Sequence, residues 1–231
     1  MNLTLAITTH NRPSMTIKAF EKVLEDKRID EILIVDDHSE EANYEKLIDL
    51  CKDLSNGKIR IVRNEENKGC YHNKREAVSL AKNEWVIIFD SDNVIDRSYL
   101  DALEKYRLDN NTIYAPDFAK PHFDYTEFSN IVIDKLNVSS LMSRKGFDCL
   151  INTCNYVVNK SAYLREWKNH KEPWTADTLF MNYNWLIAGN KIQIVGGMRY
   201  DHLVHDGSHY KEHVSKTGNL YSELMMKLKK L

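Results

Sequence analysis

Hydrophobic and polar positions follow two alternating patterns along the first 96 residues. Almost continuously apolar runs predict buried strands. These runs are LTLAIT (3–8), EILIVDD (31–37), KIRIVR (58–63) and WVIIFD (85–90). Between them, apolar residues recur at helical spacing, as at Ile17 and Phe20 after Pro13. Strands that alternate with helices form parallel sheets with right-handed crossovers. The pattern therefore predicts an α/β fold with a mostly parallel central sheet flanked by helices.

The second half has a looser pattern. Helices are predicted for RSYLDALEKYR (97–107), from Ser161, and for TADTLFMNYNWLIAG (175–189), where Gly189 suits the C-terminal cap. Strands are predicted for TIYAP (112–116), CNYVVN (154–159), KIQIV (191–195) and MRYDHLVH (198–205). Residues 117–150 are polar, aromatic and irregular, which is typical of loops that shape a binding site. We expect a mixed C-terminal half.

The last residues form a stripe of leucines at helical spacing: Leu220, Leu224, Leu228 and Leu231. Lysines lie beside the stripe. The favoured interpretation is that the stripe packs on the domain, and the alternative is a weak contact with an anionic membrane surface. We expect one domain over residues 1–210 and a helical tail over 211–231.

Composition narrows the class of protein. The chain has 231 residues, a formal net charge of −2, 42% hydrophobic and 29% charged residues, which is typical of a globular domain and gives no electrostatic case for nucleic acid. No apolar run reaches the roughly 20 residues of a membrane span, and the N-terminus lacks the basic region of a signal peptide. The four cysteines are scattered, which favours reduced thiols. We expect a cytoplasmic protein, at most peripheral at the inner membrane face.

Polar clusters follow three of the predicted strands. Thr8, His10 and Arg12 follow the first, Asp37 and its neighbour Asp36 the second, and the D-x-D of DSDN the fourth. Each cluster alone could cap a helix or form a turn. Because ligands bind beyond the carboxyl ends of parallel strands, the three together predict one binding rim.

Asp90 and Asp92 end an apolar strand one residue apart, where like charges repel and resist burial. Residues i and i+2 of a strand share a face. Carboxylate oxygens suit Mg²⁺ or Mn²⁺, which often complete their coordination with substrate phosphates. The pair therefore predicts a divalent cation.

At this point the residues resemble a known family. The order ITTHNRP, IVDDHS, NEENKG and VIIFDSDN is similar to inverting family 2 glycosyltransferases of GT-A fold, closely over residues 3–96 and more loosely over 150–210. The resemblance implies a GT-A-type, Rossmann-like fold and sugar transfer from a nucleotide-diphosphate donor, usually a UDP-sugar, with Mn²⁺ or Mg²⁺. It also implies a nucleotide-binding half (1–96) and an acceptor half (97–210).

The resemblance assigns roles on the rim. Thr8, His10 and Arg12 would line the nucleotide pocket, and Asp37 would hydrogen-bond the base. Asp92 would be the main metal ligand, with Asp90 near the donor ribose and sugar.

Lys74 occupies a position where the family often has an arginine that reaches the nucleotide. Lysine could replace it as a point charge without the bidentate fork. The alternative is a solvated helix lysine.

The second half must supply a base, because an attacking hydroxyl has to lose its proton. By the resemblance the candidate is Asp177 in PWTADTLF, although Ala176 stands where the family often has Glu. Alternatively, Asp177 only complements the helix dipole. Trp174 could stack on a sugar ring or pack in the core.

Four histidines crowd into YDHLVHDGSHYKEH (200–213). By the resemblance, His205 would be a third metal ligand with His202 in reserve, and either could instead be a surface histidine.

Two rival functions remain open. IIFDSDNV also fits the motif of haloacid-dehalogenase-like phosphatases, in which Asp90 would be the nucleophile and Asp92 its partner. However, three predicted strands precede this motif instead of none. The other rival is a GT-A module that binds a nucleotide-sugar or glycan without transferring it.

Overall fold

The computed structural model describes residues 2–52, 54, 57–170, 177–203 and 209–231, with only the backbone for 209–218. The strands are β1 (Leu3–Thr9), β2 (Ile29–Asp36), β3 (Ile59–Arg63), β4 (Trp85–Asp90), β5 (Asn93–Ile95), β6 (Thr112–Lys120), β7 (Phe123–Asp124), β8 (Val132–Ile133), β9 (Val157–Asn159) and β10 (Lys191–His202). The α-helices are α1 (Pro13–Phe20), α2 (Glu41–Lys52), α3 (Cys70–Leu80), α4 (Arg97–Leu103), α5 (Val138–Leu141), α6 (Phe147–Leu150), α7 (Lys160–Glu166), α8 (Asp177–Ile187) and α9 (His209–Leu228).

The strands join in one sheet in the order β3-β2-β1-β4-β9-β6-β10-β5, with β7 on β6 and β8 on β10. The four strands from β3 to β4 are mutually parallel. β9 is antiparallel to β4 and β6, whereas β10 runs parallel to β6. The predicted fold class, a mostly parallel sheet with a mixed C-terminal half, is confirmed.

Helices cover both faces of the sheet and bury its apolar side chains. On one face, α1, α2 and α4 contribute Phe20, Leu47 and Tyr99 to a core cluster. On the other face α3, α7, α8 and α9 contribute a second cluster that includes Trp185. Continuous burial of β1 follows from this double cover, because both faces of the strand meet apolar side chains.

Several predicted elements differ from those observed. Residues 191–202 form one strand instead of two, and its register on β6 shifts between Val195 and Arg199. Gly197 supplies the positive φ of +83° that this bulge needs. The strand predicted from Cys154 begins at Val157, because Asn155 has a left-handed φ of 63°. The predicted loop over 117–150 contains the end of β6 and several short elements.

The C-terminal leucine stripe packs mainly on the domain. Leu224 and Leu228 are buried, Leu220 is partly buried, and Leu231 is 43% exposed. The packing interpretation therefore holds for the two central leucines. Of the helices that the structure describes, each is too short or too polar to cross a bilayer.

Candidate active site

The polar clusters after β1, β2 and β4 lie together at the carboxyl ends of these strands. Thr8 is in register with Asp90, and its hydroxyl donates a long hydrogen bond of 3.5 Å to the Asp90 carboxylate. The backbone N–H of Asp37 donates to the carbonyl of Thr9 at 2.8 Å. Parallel pairing thus brings residues far apart in the chain to one rim.

Lys74 lies at the centre of this rim. It projects from α3, is 6% exposed, and its Nζ lies 2.6 Å from Asp177 Oδ2 and 3.1 Å from Asp90 Oδ1. The alternative of a solvated helix lysine is therefore wrong. One ammonium joins a carboxylate from the first half of the chain to one from the second.

Burial and charge act in opposite directions on these three groups. Burial would lower the pKa of Lys74, but the two carboxylates raise it well above its ordinary value. Burial would also raise the pKa of Asp177, yet the charge and hydrogen bond of Lys74 outweigh it and the pKa is lowered. For Asp90, burial prevails over Lys74 and the pKa is raised. Asp177 is thus the carboxylate held ionised.

Asp177 is the first residue of α8, where a negative charge also complements the helix dipole. Hydrogen bonds from the Thr178 backbone and the Cys70 side chain further lower its pKa. The dipole interpretation is therefore compatible with the contact that Asp177 makes to Lys74. Its side chain keeps 18% of its surface exposed, so a ligand could reach it.

Asp92 pairs with a different basic side chain from the one that contacts Asp90. Arg12 Nη1 donates to Asp92 Oδ2 at 2.8 Å, and the Asn93 side-chain amide donates to Asp92 Oδ1 at 3.1 Å. The two carboxylates of the D-x-D pair are thereby compensated by different basic residues, Asp92 by Arg12 and Asp90 by Lys74. Asn93 was not among the predicted site residues, and only its position directly after the pair could have suggested it.

The carboxylate oxygens of Asp92 are the kind of ligand atom that a hard divalent cation prefers. Its side chain is 20% exposed, and carboxylate oxygen is a preferred ligand of Mg²⁺ and Mn²⁺. Within the described residues no group of three His, Cys, Asp or Glu side chains could hold a metal. A cation at Asp92 would therefore need ligands from a substrate or from residues such as His205, which lies outside the described residues.

His202, the reserve ligand, lies at the end of β10 and pairs across the sheet with Asn93. Its Nδ1 lies 3.1 Å from Nδ1 of His122, with which it shares a hydrogen bond. The backbone of His202 is therefore paired with the residue that follows the D-x-D pair, whereas its ring contacts the connection between β6 and β7.

Asp37 and His10 form a second part of the rim. The Asp37 carboxylate accepts hydrogen bonds from the Asn64 side chain at 2.8 Å and from the backbone N–H groups of Lys68 and Gly69, both at 2.9 Å. His10 Nδ1 lies 3.0 Å from the Asp37 carbonyl. Asp37 is 4% exposed and holds the loop between β3 and α3. Trp174 lies outside the described residues.

Asn155 is a residue that the sequence analysis missed. Its side-chain oxygen accepts the backbone N–H of Asp90 at 2.8 Å, and its carbonyl accepts the Tyr99 hydroxyl at 2.7 Å. It thereby fixes the end of β4 where the D-x-D pair begins. Asparagine tolerates the left-handed conformation, which was the available signal in CNYVVN.

Comparisons with known proteins agree with this architecture. Residues 4–167 match the model of the family described as Glycosyl transferase family 2. An uncharacterized glycosyltransferase of Mycoplasma genitalium is 31% identical over 111 residues, which are 46% of this chain and 37% of that protein. The chain thus spans well under half the length of this curated relative.

Solved structures show the same fold at low sequence identity. S. aureus TarS 1-349 in complex with UDP-GlcNAc matches with a TM-score of 0.69 and 14% identity, over 98% of this chain and 67% of that chain. GalNAc-T7 with UDP, GalNAc and Mn²⁺ matches with a TM-score of 0.66 and 14% identity, over 89% and 44%.

Proposed function

Because the chain belongs to glycosyl transferase family 2, we propose that it transfers a sugar from a nucleotide-diphosphate donor, a UDP-sugar, to an acceptor hydroxyl. The observation that carries the proposal is the contact of one buried lysine with Asp90 and Asp177. A donor-side carboxylate and a base candidate, from the first and second halves of the chain, meet there.

The donor would lie along the rim formed by β1, β2 and β4. Thr8, His10 and Arg12 would face the nucleotide, and the Asp37 side of the rim would face the base. Structures of similar fold were obtained with UDP-GlcNAc and with UDP, which supports a nucleotide of this class. Asp90 and Lys74 would contact the ribose and sugar.

Asp92 would hold a Mn²⁺ or Mg²⁺ ion, with His205 as a further ligand. When bound, such an ion neutralises the charge that develops on the leaving diphosphate. Asn93 would keep the Asp92 carboxylate oriented through its amide. Arg12, which donates to Asp92 Oδ2, would also face the phosphates of the donor.

Asp177 would act as the base. The acceptor oxygen forms a bond to the anomeric carbon while the bond from that carbon to the diphosphate oxygen breaks on the opposite face, so the configuration inverts. The hydroxyl proton goes to Asp177, and the nucleoside diphosphate leaves with the electron pair. Lys74 keeps Asp177 ionised and ready to accept that proton. Trp174 would pack against the acceptor sugar.

A panel of nucleotide-sugars tests the proposal. Melting temperature is measured with each donor, with and without Mn²⁺, because a ligand that binds the folded state stabilises it. The donor that stabilises most is then assayed for transfer and for metal-dependent hydrolysis. D177N should bind this donor normally but transfer about 10²- to 10⁴-fold more slowly. D148N, an exposed acid in the first turn of α6, is the matched control.

The same assays, with p-nitrophenyl phosphate as an additional substrate, separate the rival functions. A non-catalytic module would bind the donor and yield neither transfer nor hydrolysis. A phosphatase using Asp90 would hydrolyse p-nitrophenyl phosphate. We do not favour that rival, because the family match is to glycosyltransferases and Lys74 holds the Asp90 oxygen.

A further inference from the structure

The large apolar side chains that the described residues expose are confined to one region. They are Val132, Leu136, Ile187, Met226 and Leu231, with exposed fractions from 38% to 85%. Isolated exposed apolar residues are ordinary, whereas a group of them in one place is typical of a binding surface. Their shared location therefore indicates a binding surface.

Contacts between their segments bring these residues to the same end of the molecule. The Ser139 hydroxyl donates to the carbonyl of Lys229 at 2.9 Å, which joins the segment after β8 to the end of α9. β8 pairs with the start of β10, which follows directly on the end of α8. Helices α8 and α9 also pack on each other. We call the ends of α8 and α9 with residues 132–139 the basal face.

Exposed lysines accompany the apolar residues in the same segments of the basal face. Lys135, Lys191, Lys227, Lys229 and Lys230 are all exposed. The same segments carry fewer acids than lysines: Asp134 accepts the backbone N–H groups of Leu136 and Asn137, and Glu223 pairs with Lys227 at 2.6 Å, which leaves the other lysines in excess. The face therefore combines apolar side chains with a positive charge.

The basal face lies opposite the candidate active site. Asp177 begins α8 at the rim and Ile187 ends it, so the helix spans roughly 16 Å from the rim to the basal face. β10 likewise begins at the basal face, because it runs parallel to β6 with the carboxyl ends of both toward the rim. An occupant of the basal face would leave the rim open.

We propose that the basal face rests on an anionic lipid surface. Such a surface attracts exposed apolar side chains that insert at the headgroup level together with lysines that meet acidic headgroups. The basal face shares Leu231 with the leucine stripe of the sequence, but the central members of that stripe, Leu224 and Leu228, are buried in the domain. The proposal is independent of donor and acceptor.

Vesicle co-sedimentation tests the proposal on the full chain without donor. The chain should bind vesicles that contain phosphatidylglycerol and not pure phosphatidylcholine vesicles, with binding that weakens as salt is added. K229E/K230E should weaken partitioning at least about tenfold. L136E/M226E should weaken it at any salt concentration. K18E/K46E, exposed lysines of α1 and α2, is the matched control and should bind like the parent.

Other results would overturn the proposal. They are absence of binding, equal binding to both kinds of vesicle, or equal loss in the K18E/K46E control. Light scattering identifies a second copy as occupant if the parent is dimeric without lipid and L136E/M226E is monomeric. Unchanged melting temperatures of the variants exclude unfolding as the cause of any loss.

Discussion

Lys74 Nζ lies 2.6 Å from Asp177 Oδ2, although the two residues are 103 positions apart in the chain. The same ammonium lies 3.1 Å from Asp90. Two carboxylates therefore depend on one buried cation for their charge compensation. Removing the cation changes their pKa values and the stability of the fold together, which makes Lys74 the most informative position in the site.

K74M should lose stability at neutral pH, because two partly buried carboxylates keep their charges without a partner. The expected cost is about 2 to 3 kcal/mol, below that of a fully buried pair because both carboxylates retain some exposure. The deficit should shrink as the pH falls, since protonation removes the repelling charges. Chemical denaturation at several pH values measures it. K74M/D177N should recover part of the loss.

K74R keeps the positive charge at position 74 but changes the shape of the side chain. It therefore distinguishes the effect of the charge from the effect of the shape. In the parent, Lys74 lowers the pKa of Asp177, so the acid limb of kcat/KM should lie at low pH. K74M should move this limb to higher pH, and K74R should leave it near its original position. A limb that stays fixed in K74M would show that Asp177 is not the titrating base.

N93A should weaken the response to metal. The Asn93 amide donates to Asp92 Oδ1 at 3.1 Å, and loss of a partner that orients a metal ligand typically costs 10- to 100-fold in affinity. The Mn²⁺ concentration for half-maximal activity should rise by about this factor, while the rate at saturating Mn²⁺ changes little. A lower saturating rate with unchanged Mn²⁺ dependence would contradict this role.

D37N should loosen the loop between β3 and α3. Three donors face the Asp37 carboxylate, and an amide nitrogen there would oppose at least one of them. The expected loss is about 1 to 3 kcal/mol, or roughly 3 to 10 °C in Tm. The exposed E65Q in the same loop is the control. If D37N loses donor affinity but not Tm, the carboxylate binds the base directly and is not mainly a loop anchor.

Asp26 should make the fold sensitive to acid. The hydrogen bond from Arg28 prevails over burial and lowers the pKa of Asp26 from 3.8 to about 2. The ion pair of Asp26 with Arg28 therefore stabilises the fold fully above the pKa that Asp26 has in the unfolded chain. This stabilisation, up to about 2 kcal/mol, is lost as the pH falls from about 4 toward 2. D26N should unfold more easily at neutral pH and show a flatter acid dependence. D49N, which removes an exposed ion pair, should do neither.

The alternating pattern of the first 90 residues was sufficient to predict the parallel half of the sheet. It also placed Asp37, Asp90 and Asp92 on one rim, because strand ends follow directly from apolar runs. The pattern could not show that Lys74 is buried, since burial of a lysine depends on carboxylates from distant elements. The role of Asn155 and the bulge at Gly197 could not be predicted for a related reason. Single residues with a left-handed backbone conformation do not disturb the periodicity of apolar positions.

Strand β3 lies at one edge of the sheet, and its charged residues have a consequence for the behaviour of the protein in concentrated solution. Arg60 binds the buried Glu31 at 2.8 Å and the carbonyl of Leu80, and Arg63 binds Glu41 at 2.7 Å. Arginines held along an exposed edge oppose the approach of another strand. A sheet of this size should thereby resist edge-to-edge aggregation during purification and storage.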